Sequence, residues 1–164
     1  MIVNADDFGM SKEVNEAVVH AFKEGVLTSC SLMVTGEAFD EAVQLAKENR
    51  GLAVGIHLVT VMGRSVLPRS EIPALVDEKG LFSCHPGLAG LKYYFSKQAR
   101  AQLRKELAAQ FEKFQSTGLP FSHIDAHLGC GCPRMIWGWL FALTEGPCSR
   151  KSSNPCFFPC WSAS

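Results

Sequence analysis

Residues 52–59 read LAVGIHLV, and this stretch decides the fold because it is apolar at every position except Gly55 and His57. A strand that faces water on one side alternates apolar and polar residues, whereas a strand covered on both faces reads as a continuous apolar run. The stretch therefore predicts a buried strand of a parallel sheet. Parallel neighbours need a crossover connection, which is usually a helix.

The flanking segments supply such an alternation. Ser11 is a candidate N-cap, and apolar residues recur from there at helical spacing until Gly25. Residues 60–96 show no clean helix or strand periodicity. They predict a long loop, which we call the excursion, with a short helix near 91–95. The remaining segments read as strands at 2–8, 26–34 and 120–127 and as helices at 37–48 and 98–115. This order predicts an α/β fold with a parallel sheet, either doubly wound or a (β/α) barrel.

Composition excludes several functional classes. The 164 residues include 16 Lys+Arg and 16 Asp+Glu, so no basic excess indicates nucleic-acid binding. No apolar run is long enough to span a bilayer, and no secretory leader precedes the first strand. The sequence therefore predicts a cytoplasmic protein without a transmembrane segment.

Chemically active side chains stand at the ends of the predicted strands. In both candidate architectures the carboxyl ends of the strands form the functional edge. The first strand ends in Asp6 and Asp7, the third carries His57, and the fourth carries His123, Asp125 and His127. Because carboxylate and imidazole are the usual ligands of a hydrolytic divalent metal, the pattern predicts a metal site at this edge.

Each signal is weak by itself. A single histidine on an apolar strand is more often a hydrogen-bonded core residue, and an H-x-D-x-H triplet arises by chance. Their meeting at one predicted edge is what indicates a site. Successive strand residues point in opposite directions, so Asp6 and Asp7 need not have the same role. His20, on a helix, and His85, in the excursion, are predicted to be surface residues.

Four stretches resemble the YdjC-like carbohydrate deacetylases, and in this order they are specific. They are VNADDFGMS (3–11), EGVLTSCSLMV (24–34), VGIHLV (54–59) and HIDAH (123–127). GRSVLP (63–68) and AQFEKFQSTGLPFSHIDAH (109–127) resemble most the hopanoid-biosynthesis-associated branch of that family.

The resemblance implies the first four βα units of a TIM-like barrel related to the polysaccharide deacetylases. It implies hydrolysis of an N-acetyl group from an amino sugar, with Asp7, His57 and His127 as metal ligands and Asp6 as general base. His123 and Asp125 would act behind the ligands or on the substrate. Mg²⁺ is the expected metal and Zn²⁺ the alternative.

The branch also implies partners. The expected substrate is an N-acetylglucosaminyl hopanoid lipid, met peripherally at a membrane, and a soluble chitooligosaccharide is the alternative. A homodimer is a further expectation. Two rival functions stay open: a catalytically inactive fragment that binds only a metal or a partner, and another metal-dependent barrel hydrolase such as a phosphoesterase. No Gly-rich phosphate loop supports the latter.

The composition changes at about residue 128. Residues 129–164 are rich in Cys, Ser, Pro and Trp and resemble no further barrel strands, while a complete barrel takes about 250 residues. We therefore divide the chain into a barrel part, 1–128, and an atypical tail, and interpret the tail as the product of a frameshift near codon 128. A genuine but poorly folding tail is the alternative. Zinc binding by the tail is a third reading, but its five cysteines lack the paired C-x-x-C spacing of structural zinc sites.

Overall fold

The computed structural model describes residues 1–129, which belong to one compact unit. Strands and helices alternate along this part of the chain. Their order is β1 (Asn4–Phe8), α1 (Lys12–Glu24), β2 (Ser29–Leu32), α2 (Phe39–Glu48), β3 (Ala53–Leu58), α3 (Pro86–Phe95), α4 (Lys97–Ser116) and β4 (Ile124–Ala126), followed by a 3₁₀ turn, His127–Gly129. None of the described helices combines the length and the apolar character needed to cross a membrane.

The four described strands form one parallel sheet in the order β1-β2-β3-β4. Cys30 of β2 pairs with Val54 of β3, and Ile56 of β3 pairs with Ile124 of β4. Because all strands run the same way, their carboxyl ends lie at one edge. The α/β fold with a parallel sheet is thus confirmed, whereas the incomplete TIM-like barrel stays a prediction.

The strand that decided the fold is covered on both faces, as its sequence predicts. Every residue from 54 to 59 is buried, including His57. Helix α4 packs against β3 and contributes Leu103, Leu107 and Phe114 to the core. His57 is therefore a polar side chain enclosed among the apolar residues of a buried strand.

Several predicted boundaries differ from the structure, including that of β2, which spans Ser29–Leu32 and not 26–34. Helix α3 begins at Pro86 and not near residue 91, since proline suits the first helical position although Gly87 and Gly90 weaken the helical pattern. Strand β4 is shorter than 120–127. Its approach still runs beside β3, because Ser122 N–H donates to Val54 O and Ile56 N–H donates to His123 O.

Candidate metal centre

Three predicted ligands converge at the carboxyl edge of the sheet. Asp7 Oδ1 lies 3.0 Å from His127 Nδ1 and 3.2 Å from His57 Nε2. The two imidazole nitrogens, His57 Nε2 and His127 Nδ1, are 3.2 Å apart. The end of β1, the end of β3 and the turn after β4 thus each supply one atom to a single cluster, which we call the Asp7 cluster.

The spacing of these atoms fits a divalent ion. Ligand atoms about 2.0–2.2 Å from a metal stand about 3.0 Å apart when they subtend a right angle and about 3.4 Å apart in a tetrahedron. The observed separations of 3.0–3.2 Å correspond to such a set. The Asp7 side chain is 33% exposed, whereas that of His57 is 2% exposed, so the cluster is open on the Asp7 side. Catalytic metal sites keep an open position of this kind for water and substrate.

Asp7 reaches the cluster through a distortion of β1. The pairing of β1 with β2 shifts register between Ala5 and Phe8, and Asp7 has a φ of 61°, a region that non-glycine residues rarely adopt. A bulge re-aims the side chains of a strand, and backbone strain of this type concentrates at functional sites. The two adjacent acids therefore both lie near His57, Asp7 at Nε2 and Asp6 in a group with Asp125.

A second cluster lies on the other side of His57. One ligand atom each from Asp6, His57 and Asp125 lies within 4.8 Å of the others. His57 Nδ1 is buried and has no hydrogen-bond partner among the described residues, and Asp125 Oδ2 is 3.6 Å away from it. A carboxylate behind a ligating imidazole fixes the ring orientation and raises its basicity. Asp125 stands where it can do both.

Burial controls the charges of these groups. It lowers the pKa of His57, although the nearby Asp125, Asp7 and Asp6 carboxylates oppose that shift. His57 is thereby held in the neutral form that binds metals. Burial also raises the pKa of Asp6, and the hydrogen bond with Asp125 adds to the effect. Burial opposes the ionisation of Asp125, but hydrogen bonds from Ala126 N–H and from Asp6 leave its pKa lowered.

Sequence reasoning missed a layer of polar residues beneath the clusters. Asn4 Nδ2 donates to Asp6 Oδ1 at 2.8 Å and to Ser31 Oγ at 2.9 Å, and the Ser31 hydroxyl donates to Asp125 Oδ2 at 3.3 Å. Ser31 is fully buried. Polar residues at buried strand positions are the signal that would have identified this layer, because they need partners within the fold.

His123 joins neither cluster. Its Nε2 lies 3.1 Å from Ser31 Oγ, and its ring lies over Gly55, where an added Cβ would stand 2.6 Å from the ring atoms. The sequence predicts that His123 acts behind the ligands or on the substrate. In the structure its contacts are with Ser31 and Gly55. His20 and His85 are exposed, as predicted.

Asn15 is a further residue that sequence reasoning missed. Its side chain is fully buried, accepts from Gly9 N–H at 2.8 Å and donates to Ala38 O at 3.1 Å. Gly9 has a φ of 96° and follows the two acids closely in the chain. Asn15 therefore ties the loop after β1 to the start of α2 and holds the end of the strand that carries Asp6 and Asp7.

The sequence profile of the YdjC-like protein family matches residues 1–146. The chain belongs to this family. The match continues beyond residue 127, at which the stretches quoted above end. The hopanoid-associated branch and the truncation stay predictions, and the division at residue 128 and the tail cysteines lie at or beyond the end of the described residues.

Several relatives of this YdjC-like chain carry names that state an activity. The chain is 45% identical over 127 residues to a carbohydrate deacetylase of Brevibacillus brevis, covering 77% of this chain and 48% of that protein. It is 39% identical over 132 residues to a chitooligosaccharide deacetylase of Escherichia fergusonii, again covering 77% and 48%. The chain thus spans about half the length of these relatives.

A solved structure supports the YdjC-like fold. A protein of Enterococcus faecalis V583, proposed to cleave cellobiose phosphate, superimposes with a TM-score of 0.73 at 33% identity. The superposition covers 87% of this chain and 54% of that protein. The described sheet therefore corresponds to part of a larger structure in that neighbour.

Proposed function

We propose that this YdjC-like chain carries the catalytic metal centre of a carbohydrate deacetylase that hydrolyses the N-acetyl group of an amino sugar. The observation that carries the proposal is the Asp7 cluster, in which one carboxylate oxygen and two imidazole nitrogens lie within 3.2 Å of one another. The names of the Brevibacillus and Escherichia relatives support the reaction. Since the chain spans half of each relative, its own activity is part of the proposal.

The residues around the cluster have separate roles in this reaction. A divalent ion held by Asp7, His57 and His127 would supply polarisation of the acetamide carbonyl and a more acidic water. Asp6, which lies in the second cluster with His57 and Asp125, accepts the proton of the attacking water as general base. Asp125 faces His57 Nδ1 and keeps Nε2 turned towards Asp7 and His127.

The metal and the substrate are the finer parts of the proposal. The family resemblance favours Mg²⁺, while two imidazoles with one carboxylate also suit Zn²⁺. The candidate substrates are an N-acetylglucosaminyl hopanoid lipid and a chitooligosaccharide, and the Escherichia relative supports the second. Peripheral contact with a membrane lipid, a homodimer and a cytoplasmic location stay predictions.

Acetate release from diacetylchitobiose, with metal removed and then restored, tests the proposal. Asp6→Asn should abolish release while metal binding is retained, because Asp6 is outside the Asp7 cluster. His57→Ala should lose metal binding as well as release. His20→Ala, which changes an exposed histidine away from the site, is the matched control and should keep both. Unchanged release in Asp6→Asn and His57→Ala would overturn the assignment.

A second candidate function is metal binding without turnover. It is favoured by the chain's coverage of only 48% of the Brevibacillus relative, since the other half of that protein has no counterpart in the matched residues. Metal binding by the wild-type chain without acetate release, while a full-length relative releases acetate, would support this candidate. Release of phosphate from a sugar phosphate in place of acetate would support a phosphoesterase.

A further inference from the structure

Helix α4 buries a row of polar side chains that the metal centre does not use. Gln102, Glu106 and Gln110 follow one another at four-residue spacing and so share one face of the helix. Gln102 is 9% exposed, and Glu106 and Gln110 are fully buried. Buried polar groups of this kind are costly unless they are hydrogen-bonded, so their partners should reveal what the row holds.

All three side chains bind the backbone of one segment, residues 59–74. Gln110 Oε1 accepts from Val59 N–H at 3.0 Å, and its Nε2 donates to Val59 O at 2.8 Å. Glu106 accepts from Val66 N–H and Leu67 N–H at 2.8 and 2.9 Å. Gln102 accepts from Ala74 N–H at 2.8 Å. The row thus holds the long excursion that follows β3.

The bonds of Gln110 act closest to the metal centre. Val59 follows the last residue of β3 and is two residues from His57. One side-chain amide satisfies both backbone groups of Val59, as a neighbouring strand would. Gln110 Nε2 also donates to Glu106 Oε1 at 2.9 Å, which fixes the orientation of the amide.

We propose that Gln110, oriented by Glu106, is a positioning residue that fixes the end of β3 and thereby places His57 Nε2 against Asp7 and His127. Functional sites need their groups held within about 0.5 Å, which requires a supporting shell of this kind. Tyr93 adds a second hold one residue further on, since its hydroxyl donates to Thr60 O at 2.7 Å. The effect on metal affinity rests on the proposed function, whereas the effect on the position of His57 does not.

The test compares Gln110→Met with Gln102→Met in the full chain. Both substitutions replace a buried amide on the same face of α4 by a side chain of similar size. Among residues 1–129, however, the hydrogen bond of Gln102 goes to Ala74, far along the chain from His57. The imidazole ¹H–¹⁵N signals of His57 are measured without metal, with the exposed His20 and His85 as internal references. Zn²⁺ affinity is measured by titration calorimetry. Gln110→Asn, whose amide is too short to reach Val59, is the second variant if Gln110→Met does not fold.

The proposal expects Gln110→Met to shift the His57 signals and to weaken Zn²⁺ binding by about tenfold, as loss of a supporting group does at metal sites. Gln102→Met should leave the His57 signals in place and Zn²⁺ affinity within about twofold. Unmoved His57 signals in the Gln110 variants, or equal effects of the two substitutions, would overturn it. If Gln110→Met shifts the His57 signals but the wild-type chain binds no Zn²⁺, the positioning role is upheld and the proposed function is refuted. In the wild-type chain, the Val59 amide should exchange as slowly as those of β3, and fast exchange would also overturn the proposal.

Discussion

The carboxylate behind His57 offers a quantitative test of the metal centre. Asp125→Asn keeps the shape of the side chain but removes its charge from the neighbourhood of His57 Nδ1. Loss of such a partner costs about 10-fold to 100-fold in metal affinity. Since Asp125 Oδ2 is 3.6 Å from Nδ1, longer than a hydrogen bond, the loss should be at the lower end. We expect about a tenfold weaker affinity, or about 1.4 kcal/mol.

Titration calorimetry with Zn²⁺ at one fixed pH measures this loss. The matched control is Asp77→Asn, which changes an exposed carboxylate that also accepts backbone N–H bonds, from Lys79 and Leu81, but lies in the excursion. The control should bind Zn²⁺ as the wild type does. A loss below twofold in Asp125→Asn, or an equal loss in the control, would refute the argument. A loss as large as that of His57→Ala would refute it too, because Asp125 would then be a direct ligand.

Three further predictions concern the frame of the site. Gly55→Ala should destabilise the chain by about 1–3 kcal/mol in urea unfolding, because the new Cβ would stand 2.6 Å from the His123 ring; unchanged stability would contradict the close approach. Asn15→Ala should cost about 1–3 kcal/mol in the same assay, since Gly9 N–H loses its partner, and a smaller loss would mean that water replaces the amide. Burial raises the pKa of Cys30 to about 12 from 9.0, so the stabilising contribution of its neutral thiol is complete below pH 9 and is lost as the pH rises towards 12. Cys30→Ala should reduce the fall in unfolding free energy over that range, and an identical fall in both proteins would refute the assignment.

The sheet and the location of the site could be predicted because both depend on local patterns. The run LAVGIHLV marks a strand covered on both faces, and the structure buries residues 54–59 throughout. Since parallel strands share a carboxyl edge, the strand ends indicate that the acids of β1, His57 and the polar residues of β4 lie together. This prediction needs the rule that parallel strands share a carboxyl edge, and it needs no knowledge of individual contacts between distant segments. The choice of Asp7, His57 and His127 as ligands rests on the family resemblance.

The supporting residues could not be predicted, because their partners are distant in sequence and belong to the backbone. Gln110 and Val59 are 51 residues apart, and Glu106 and Val66 are 40 residues apart. In the sequence, Glu106 and Gln110 look like part of the solvated face of a helix. The bulge at Asp7 could not be predicted either, because the alternation of residues along a strand does not show where its pairing with the next strand shifts register.

The charges around His57 connect these observations to the metal. Asp6, Asp7 and Asp125 all approach one buried imidazole, and in residues 1–129 the ion pairs of Asp7 and Asp125 involve only His57 and His127. Burial keeps His57 neutral, so this ring does not compensate the acids. The hydrogen bond between Asp6 and Asp125 raises the pKa of Asp6 and lowers that of Asp125. A divalent cation held by Asp7, His57 and His127 would offset the negative charge of these acids, which explains how adjacent acids can stand at the end of β1 without a lysine or arginine between them.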